Sequence, residues 1–249
     1  NLDDVPVLGL LRTTTQGELL GRAAVLIGGA LLLQSWLLLG TDVLSEQVVR
    51  VRNLHRILAV WILPGLLVPP LFSRDMYSYF VQGRQLALGL NPYSTGAASV
   101  SGWFTDGVDP MWAETPTPYG PLFLLIERYV TDIARTPYWS AVAFRLVACI
   151  GIALMAYYVP KLAELQGINP AAALWLSAMN PLVIMHFAFG GHNDALMVGL
   201  MLAGLHAAMH RKALPAVLLA AAAIAVKPIA IVAVPFAALA FIPRNATLW

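Results

Sequence analysis

Apolar residues in this chain gather into long runs with short polar interruptions. Runs at about 19–40, 56–72, 138–159, 170–189 and 193–210 match the roughly 17–25 residues that a helix needs to cross a bilayer. A further apolar stretch is broken by Lys227-Pro228. Proline removes a backbone donor there and divides the stretch into segments at about 213–226 and 228–243. The pattern predicts an all-α, polytopic transmembrane helical bundle.

Between 73 and 137 the pattern changes to a segment rich in Pro, Trp and Tyr, far longer than the usual connection of about 4–6 residues. Inside it, Ser73 is placed to cap a helix running to about Leu88, with Gly89 as its stop. Met76, Phe80, Gly83, Ala87 and Leu90 recur at helical spacing, which suits an amphipathic helix lying in the membrane interface. Asn91-Pro92-Tyr93 reads as the next turn, and Pro116-Thr117-Pro118-Tyr119-Gly120-Pro121 as a rigid, φ-fixed wall. The segment Pro121–Ile133, apolar on one side, fits a re-entrant or interfacial helix.

Composition agrees with a membrane solvent: 59% of residues are hydrophobic and 11% charged, against about 25% charged in a soluble domain. A net charge of +2 without a basic, aromatic-interleaved patch argues against nucleic acid as a partner. The one cysteine, Cys149, lies in an apolar run, so no intrachain disulfide is available. Phosphate-loop, dinucleotide-loop and zinc-type spacings are all missing, so an activated substrate is expected to arrive from the membrane.

The first residue is not Met, no cleavable signal pattern follows, and the chain stops just after an apolar run. It therefore reads as part of a longer polytopic chain. Asp3-Asp4 reads as a solvated end. Arg50, Arg52, Arg56, Lys161, Arg211, Lys212 and Arg244 fall on one side if the spans alternate, which makes that side cytoplasmic. The 73–137 loop, most acids (Glu127 among them), the Gly190–Asp194 turn and the Lys227-Pro228 break then share the external face.

On that face Asp75 is the leading candidate. It is either a general base at the membrane boundary or a helix N-terminal charge paired with Arg74 or Arg84. Asn193 and Asp194 either cap the helix they open or join His192 in a polar patch for a phosphate, sugar hydroxyl or cation. Lys227, surrounded by apolar residues, needs a partner: an anionic substrate group, or Asp194. Tyr77, Tyr79, Tyr93, Trp103, Trp112 and Tyr119 either stack on sugars or belong to an interfacial aromatic belt. Arg145 is taken as structural, close enough to a span end to snorkel.

Phe72-Ser73-Arg74-Asp75-Met76-Tyr77-Ser78-Tyr79, Gly89-Leu90-Asn91-Pro92-Tyr93, Pro118-Tyr119-Gly120-Pro121, Gly190-Gly191-His192-Asn193-Asp194 and Lys227-Pro228, taken in this order, resemble the GT-C glycosyltransferases. More narrowly, they resemble the polyprenol-phosphate-mannose-dependent α-(1→6)-mannosyltransferases of actinobacterial lipomannan synthesis. Members of that family usually have about twice this many spans. The resemblance implies a multi-pass enzyme of the cell membrane with an external active site, a polyprenyl-phosphate-mannose donor and a lipid-linked mannan acceptor. It implies Asp75 as base, Lys227, His192, Arg74 and Arg84 around the donor phosphate, and Tyr77, Tyr79, Asn91, Tyr93, Tyr119, Asn193 and Asp194 around sugar and acceptor. One carboxylate suffices for an inverting displacement, since phosphate leaves without a second acid. No cofactor is firmly implied; Asp75 and Asp194 sharing a divalent metal is possible, but no ligand spacing demands it. The competing class is a transporter or flippase for a lipid-linked or anionic solute, which would need polar groups towards both faces.

Overall fold

A computed structural model describes residues 14–45 and 49–242; Asp3-Asp4 and Arg244 lie outside them. The chain forms two compact units, divided at Val49 and Arg50. The first holds one helix, α1 (Thr15–Leu44), whose start is capped by Thr14 Oγ1 accepting from the Gly17 amide at 3.0 Å.

Among its described residues, the regular structure of the second unit is helical, joined by turns and irregular chain. Its order is α2 (Val51–Ile62), α3 (Asp75–Ala87), α4 (Pro121–Ala134), α5 (Pro137–Leu165), α6 (Pro170–Leu176), a π-helical turn (Ile184–Phe189), α7 (Asp194–Met209), α8 (Ala213–Val226), a 3₁₀ segment (Pro228–Ala233) and α9 (Val234–Leu239). Among the described residues, α1 and α5 are long and apolar enough to cross a membrane, and α6 with Pro181–Phe189 makes a third candidate bent by 50°. The chain is an all-α, membrane-associated protein.

Two of the expected spans are interrupted. The run at 56–72 is helical only as far as Ile62 and then a 3₁₀ turn (Leu63–Gly65). Pro64, Pro69 and Pro70 withhold the donors that an α-helix would need. The run at 170–189 breaks between Leu176 and Pro181, where Asn180 Oδ1 accepts from the Leu182 amide at 2.9 Å and starts a new helix. The Lys227-Pro228 break is where the sequence places it: α8 stops at Val226, and Lys227 is extended at φ −151°, ψ 120°.

The core lies where α3, α4, α5, α7 and α8 meet. α5 packs along α7, and α7 along α8. Gly151 of α5 rests on the Ala195 backbone of α7, with Gly199 returning the approach; any Cβ at Gly151 would overlap that backbone, so small residues set this crossing. Helix α3 begins at Asp75, whose amide donates to Ser73 Oγ at 3.0 Å, and is followed by Gly89 at φ 72°. Its apolar face does not lie against lipid. Met76, Tyr79, Phe80 and Val81 are buried against α4 and α5. Helices α3 and α4 run in the same direction: Tyr79 meets Phe123, and four residues further on Gly83 meets Glu127. Their N-termini therefore share one end of the unit and their C-termini the other.

Arg145 does not snorkel. It is fully buried, and its guanidinium donates to four backbone carbonyls: Leu66 at 2.7 Å, Val68 at 2.8 Å, and Ala188 and Phe189 at 3.2 Å. Leu66 and Val68 belong to the irregular chain that leads into Asp75, while Ala188 and Phe189 end the π turn that leads into His192. One side chain thus fixes both approaches to the polar cluster, meeting carbonyls that the interrupted helices leave open.

Candidate active site

Four segments converge at the N-terminal end of α3 and α4. Asp75 opens α3, and the Gly190–Asp194 turn brings His192 to it, with Nδ1 3.3 Å from Asp75 Oδ2. Asp194, at the start of α7, receives Lys227 Nζ on both carboxylate oxygens, at 2.9 and 2.8 Å. The same ammonium lies 5.8 Å from the ring centre of Tyr119. The Pro116–Pro121 run docks on α8 just before the lysine, through the Gly120 amide donating to Val226 O at 2.9 Å.

Local backbone makes these approaches possible. The π turn passes the Gly190 amide back to Met185 O at 2.9 Å, a register shift that recurs at functional sites. Gly191 sits at φ 63° with Met76 of α3 packed where a Cβ would stand. Only glycine is at ease in that conformation and that space, and the result is that His192 can reach over the N-terminus of α3.

The electrostatics follow from burial. Desolvation is the largest influence on His192 and pushes it below the ordinary imidazole value, with Asp75 pulling the other way. Burial thus favours the neutral imidazole, and its Nδ1 stands 3.3 Å from Asp75 Oδ2. Its Nε2, and both polar atoms of the Asn193 carboxamide, are buried without a hydrogen-bond partner. Such groups are costly in a fold that gives them nothing to bind. Burial also raises the phenols of Tyr79 and Tyr119 well above their ordinary value, so both are neutral.

Not all the residues singled out in the sequence arrive here. Asp75, His192, Asn193, Asp194, Lys227 and Tyr119 do, and Arg74 stands beside them, exposed, as the residue preceding α3. Tyr79 does not face a ligand: its ring is fully buried between Tyr119, Phe123 and Phe144, and its hydroxyl accepts from the Asn193 amide at 3.4 Å. Tyr77 carries Gly107 against its ring. The Asn91 side chain closes its own turn by accepting from the Tyr93 amide at 3.0 Å, and Tyr93 ties that turn to Tyr119 O at 3.0 Å.

Arg84 is also elsewhere. Nine residues after Asp75, it lies half a turn round the helix and about 13 Å along it, paired with Asp106. Asp75 therefore pairs with neither arginine that the sequence offers it. Glu127 is not an external charge but fully buried, and desolvation raises its carboxyl well above the usual range; Gln82 lies against both of its oxygens, at 3.1 and 3.2 Å. Asp75 and Asp194, which the sequence leaves free to share a metal, face different partners. Among the described residues no three His, Cys, Asp or Glu side chains form a metal-ligand group.

Sequence reasoning gave no role to His186, whose ring is 6.0 Å from that of His192, and did not see the clamp made by Arg145. An arginine within an apolar span was the available signal for the second.

Comparison with known proteins places this sequence in a family. The family model described as "Alpha-(1->6)-mannopyranosyltransferase, N-terminal domain" matches residues 1–243. An alpha-(1→6)-mannopyranosyltransferase of Mycobacterium tuberculosis is 41% identical over 186 residues, 73% of this chain and 32% of the relative. Alpha-(1→6)-mannopyranosyltransferase A of the same organism is 37% identical over 221 residues, 88% of this chain and 43% of its own length. The Corynebacterium glutamicum protein named alpha-(1→6)-mannopyranosyltransferase A is 35% identical over 218 residues, 84% of this chain and 44% of the relative. The chain thus spans about 32–44% of the length of these curated relatives. No solved structure matches it. The family match covers nearly the whole sequence, including every residue of the converged cluster, and the chain belongs to the alpha-(1→6)-mannopyranosyltransferase family.

Proposed function

We propose that this chain carries the catalytic end of a multi-pass membrane mannosyltransferase that moves mannose from polyprenyl-phosphate-mannose to a lipid-linked mannan, with inversion and an α-(1→6) product. The observation that carries the reading is the Asp75–His192 contact of 3.3 Å in a partly desolvated cluster that also holds the Asp194–Lys227 pair.

In the displacement, the acceptor 6-hydroxyl attacks the anomeric carbon as the bond from that carbon to the phosphate oxygen breaks. Polyprenyl phosphate leaves with the electron pair, and the hydroxyl proton passes to Asp75. A β-linked donor gives an α product. His192, neutral, is assigned here to holding the Asp75 carboxylate through Nδ1–H and leaving the second oxygen for the acceptor, rather than to the phosphate. Lys227 and Arg74 supply positive charge for the departing phosphate. Arg74 is exposed and pairs with no acid among the described residues, while Lys227 is balanced by Asp194 until an anion competes for it. Asn193, with both side-chain polar atoms unmatched, is assigned to a sugar hydroxyl. The cluster lies on the external face of the cell membrane in this reading.

Mannose transfer from polyprenyl-phosphate-mannose to a short α-(1→6)-mannoside, by the full-length protein in detergent, tests it. Asp75→Asn keeps the shape and removes the base, so transfer falls by about 10²–10⁴-fold with thermal unfolding unchanged. Wild-type protein that moves or binds the lipid without transferring its sugar would instead support a transporter.

A further inference from the structure

A polar cavity of about 740 Å³ lies away from the cluster, at the other end of α3 and α4, where their C-termini meet the start of α5. Phe80, Arg84, Asp106, Thr131, Asp132 and Arg135 line it. Its lining sets two guanidiniums beside two carboxylates. Arg84 pairs with Asp106 and donates to Ser101 O at 3.1 Å, and the Phe80 ring lies 5.9 Å below its guanidinium, so the plane of that group is set. Asp132 is paired with Arg128. Arg135 makes one weak bond, from Nε to the Asp132 carbonyl at 3.4 Å, which leaves its two terminal nitrogens with donors to offer.

Arg135 is the residue that ends α4, at φ 60°, in the left-handed region where glycine or asparagine is the ordinary choice. A long cationic side chain is held at a position whose conformation favours none, and it lines the cavity. The cavity is open, and its lining offers both donors and acceptors of hydrogen bonds. It suits the neighbouring hydroxyls of a neutral polyol, each of which both gives and accepts a hydrogen bond.

We propose that this cavity is a second carbohydrate subsite, which holds inner sugar units of the acceptor chain while its growing end lies at Asp75. The inference rests on the transferase reading above. The cavity and Asp75 are separated by most of the length of α3, so a mannan of several units reaches both and a short mannoside only one.

Two variants spare the fold. Arg135→Asn keeps a residue that tolerates the left-handed backbone, and Asp132→Asn removes only an exposed pair within one helix. With the full-length protein in detergent, each raises KM for a long α-(1→6)-mannan oligomer about tenfold, the loss of one charge-assisted hydrogen bond. Each leaves kcat unaltered and leaves KM for a mono- or dimannoside where it was. Equal changes for short and long acceptors, or no change for either, overturn the subsite. Saturation-transfer NMR of the long oligomer without donor separates this failure from failure of the transferase reading. Should the wild type transfer to no acceptor, oligomer binding that Arg135→Asn weakens still upholds the cavity, and binding that it leaves intact, or none at all, overturns it.

Discussion

Arg145 and Lys227 are both cations set among apolar residues, and the fold treats them differently. Arg145 has no contact with water and meets four carbonyl oxygens of the main chain. Lys227 keeps about a quarter of its side chain exposed and meets the carboxylate of Asp194 with both bonds below 3 Å. Backbone carbonyls cannot move away or change charge, so the arginine is a permanent strut. A carboxylate at a partly open edge can exchange its partner for a ligand anion, so the lysine is a counter-ion in waiting. A charge in an apolar setting is thus assigned to architecture or to chemistry by its partners, not by its depth.

Breaking the strut has the largest effect. Arg145→Met leaves four carbonyls without their donor, each worth about 1–3 kcal/mol when buried and unmatched. The expected loss is at or beyond about 4 kcal/mol, the exceptional end for one substitution. Thermal unfolding in detergent checks it, and a variant that unfolds where the wild type does removes Arg145 from the architecture.

The lysine gives a smaller effect of a different kind. Lys227→Met leaves Asp194 unpaired in a partly screened setting and costs about 1–3 kcal/mol. Adding Asp194→Asn returns most of that, because no charge remains to be matched. A double variant as unstable as the sum of the singles would mean that the pair is not coupled and that the contrast with Arg145 is false.

The smallest effect is one of pH. The folded chain resists protonating His192, so between the ordinary value near 6.5 and its lower folded value the unfolded chain holds more protons. Stability is full above about pH 6.5 and is lost as the pH falls through that window, by no more than about 1.4 kcal/mol per pH unit. His192→Gln, followed by unfolding at a series of pH values, should flatten this part of the curve. A slope identical to that of the wild type would show that some other group titrates there.

The candidate site was legible in good part because its residues break local rules. An acid following an apolar run, Gly-Gly before a His-Asn-Asp cluster, and Lys-Pro inside about thirty apolar residues all defy the bilayer as solvent, and such residues require a partner. The start of α3, its stop near Gly89 and the break at Lys227 follow from capping and proline chemistry, which act over a few neighbouring residues. Which partner each took was not legible. Asp75 had Arg74 and Arg84 close by in sequence and pairs with His192, 117 positions away. Arg84 points to the opposite side of its helix, a matter of phase that spacing alone could have given.

The sequence by itself determined the helical class, the membrane as solvent, and the set of segments whose polar groups had to meet. Only the tertiary structure decided that α3 is buried in protein rather than laid on lipid, that Tyr79 and Glu127 are interior, and that Arg145 ties the interrupted helices together. The physical reason is range. Hydrophobic periodicity, caps and prolines act along a few residues of chain and can be read in order. Desolvation and the matching of donor to acceptor depend on what packs alongside, and here those neighbours lie from about forty to more than one hundred positions apart.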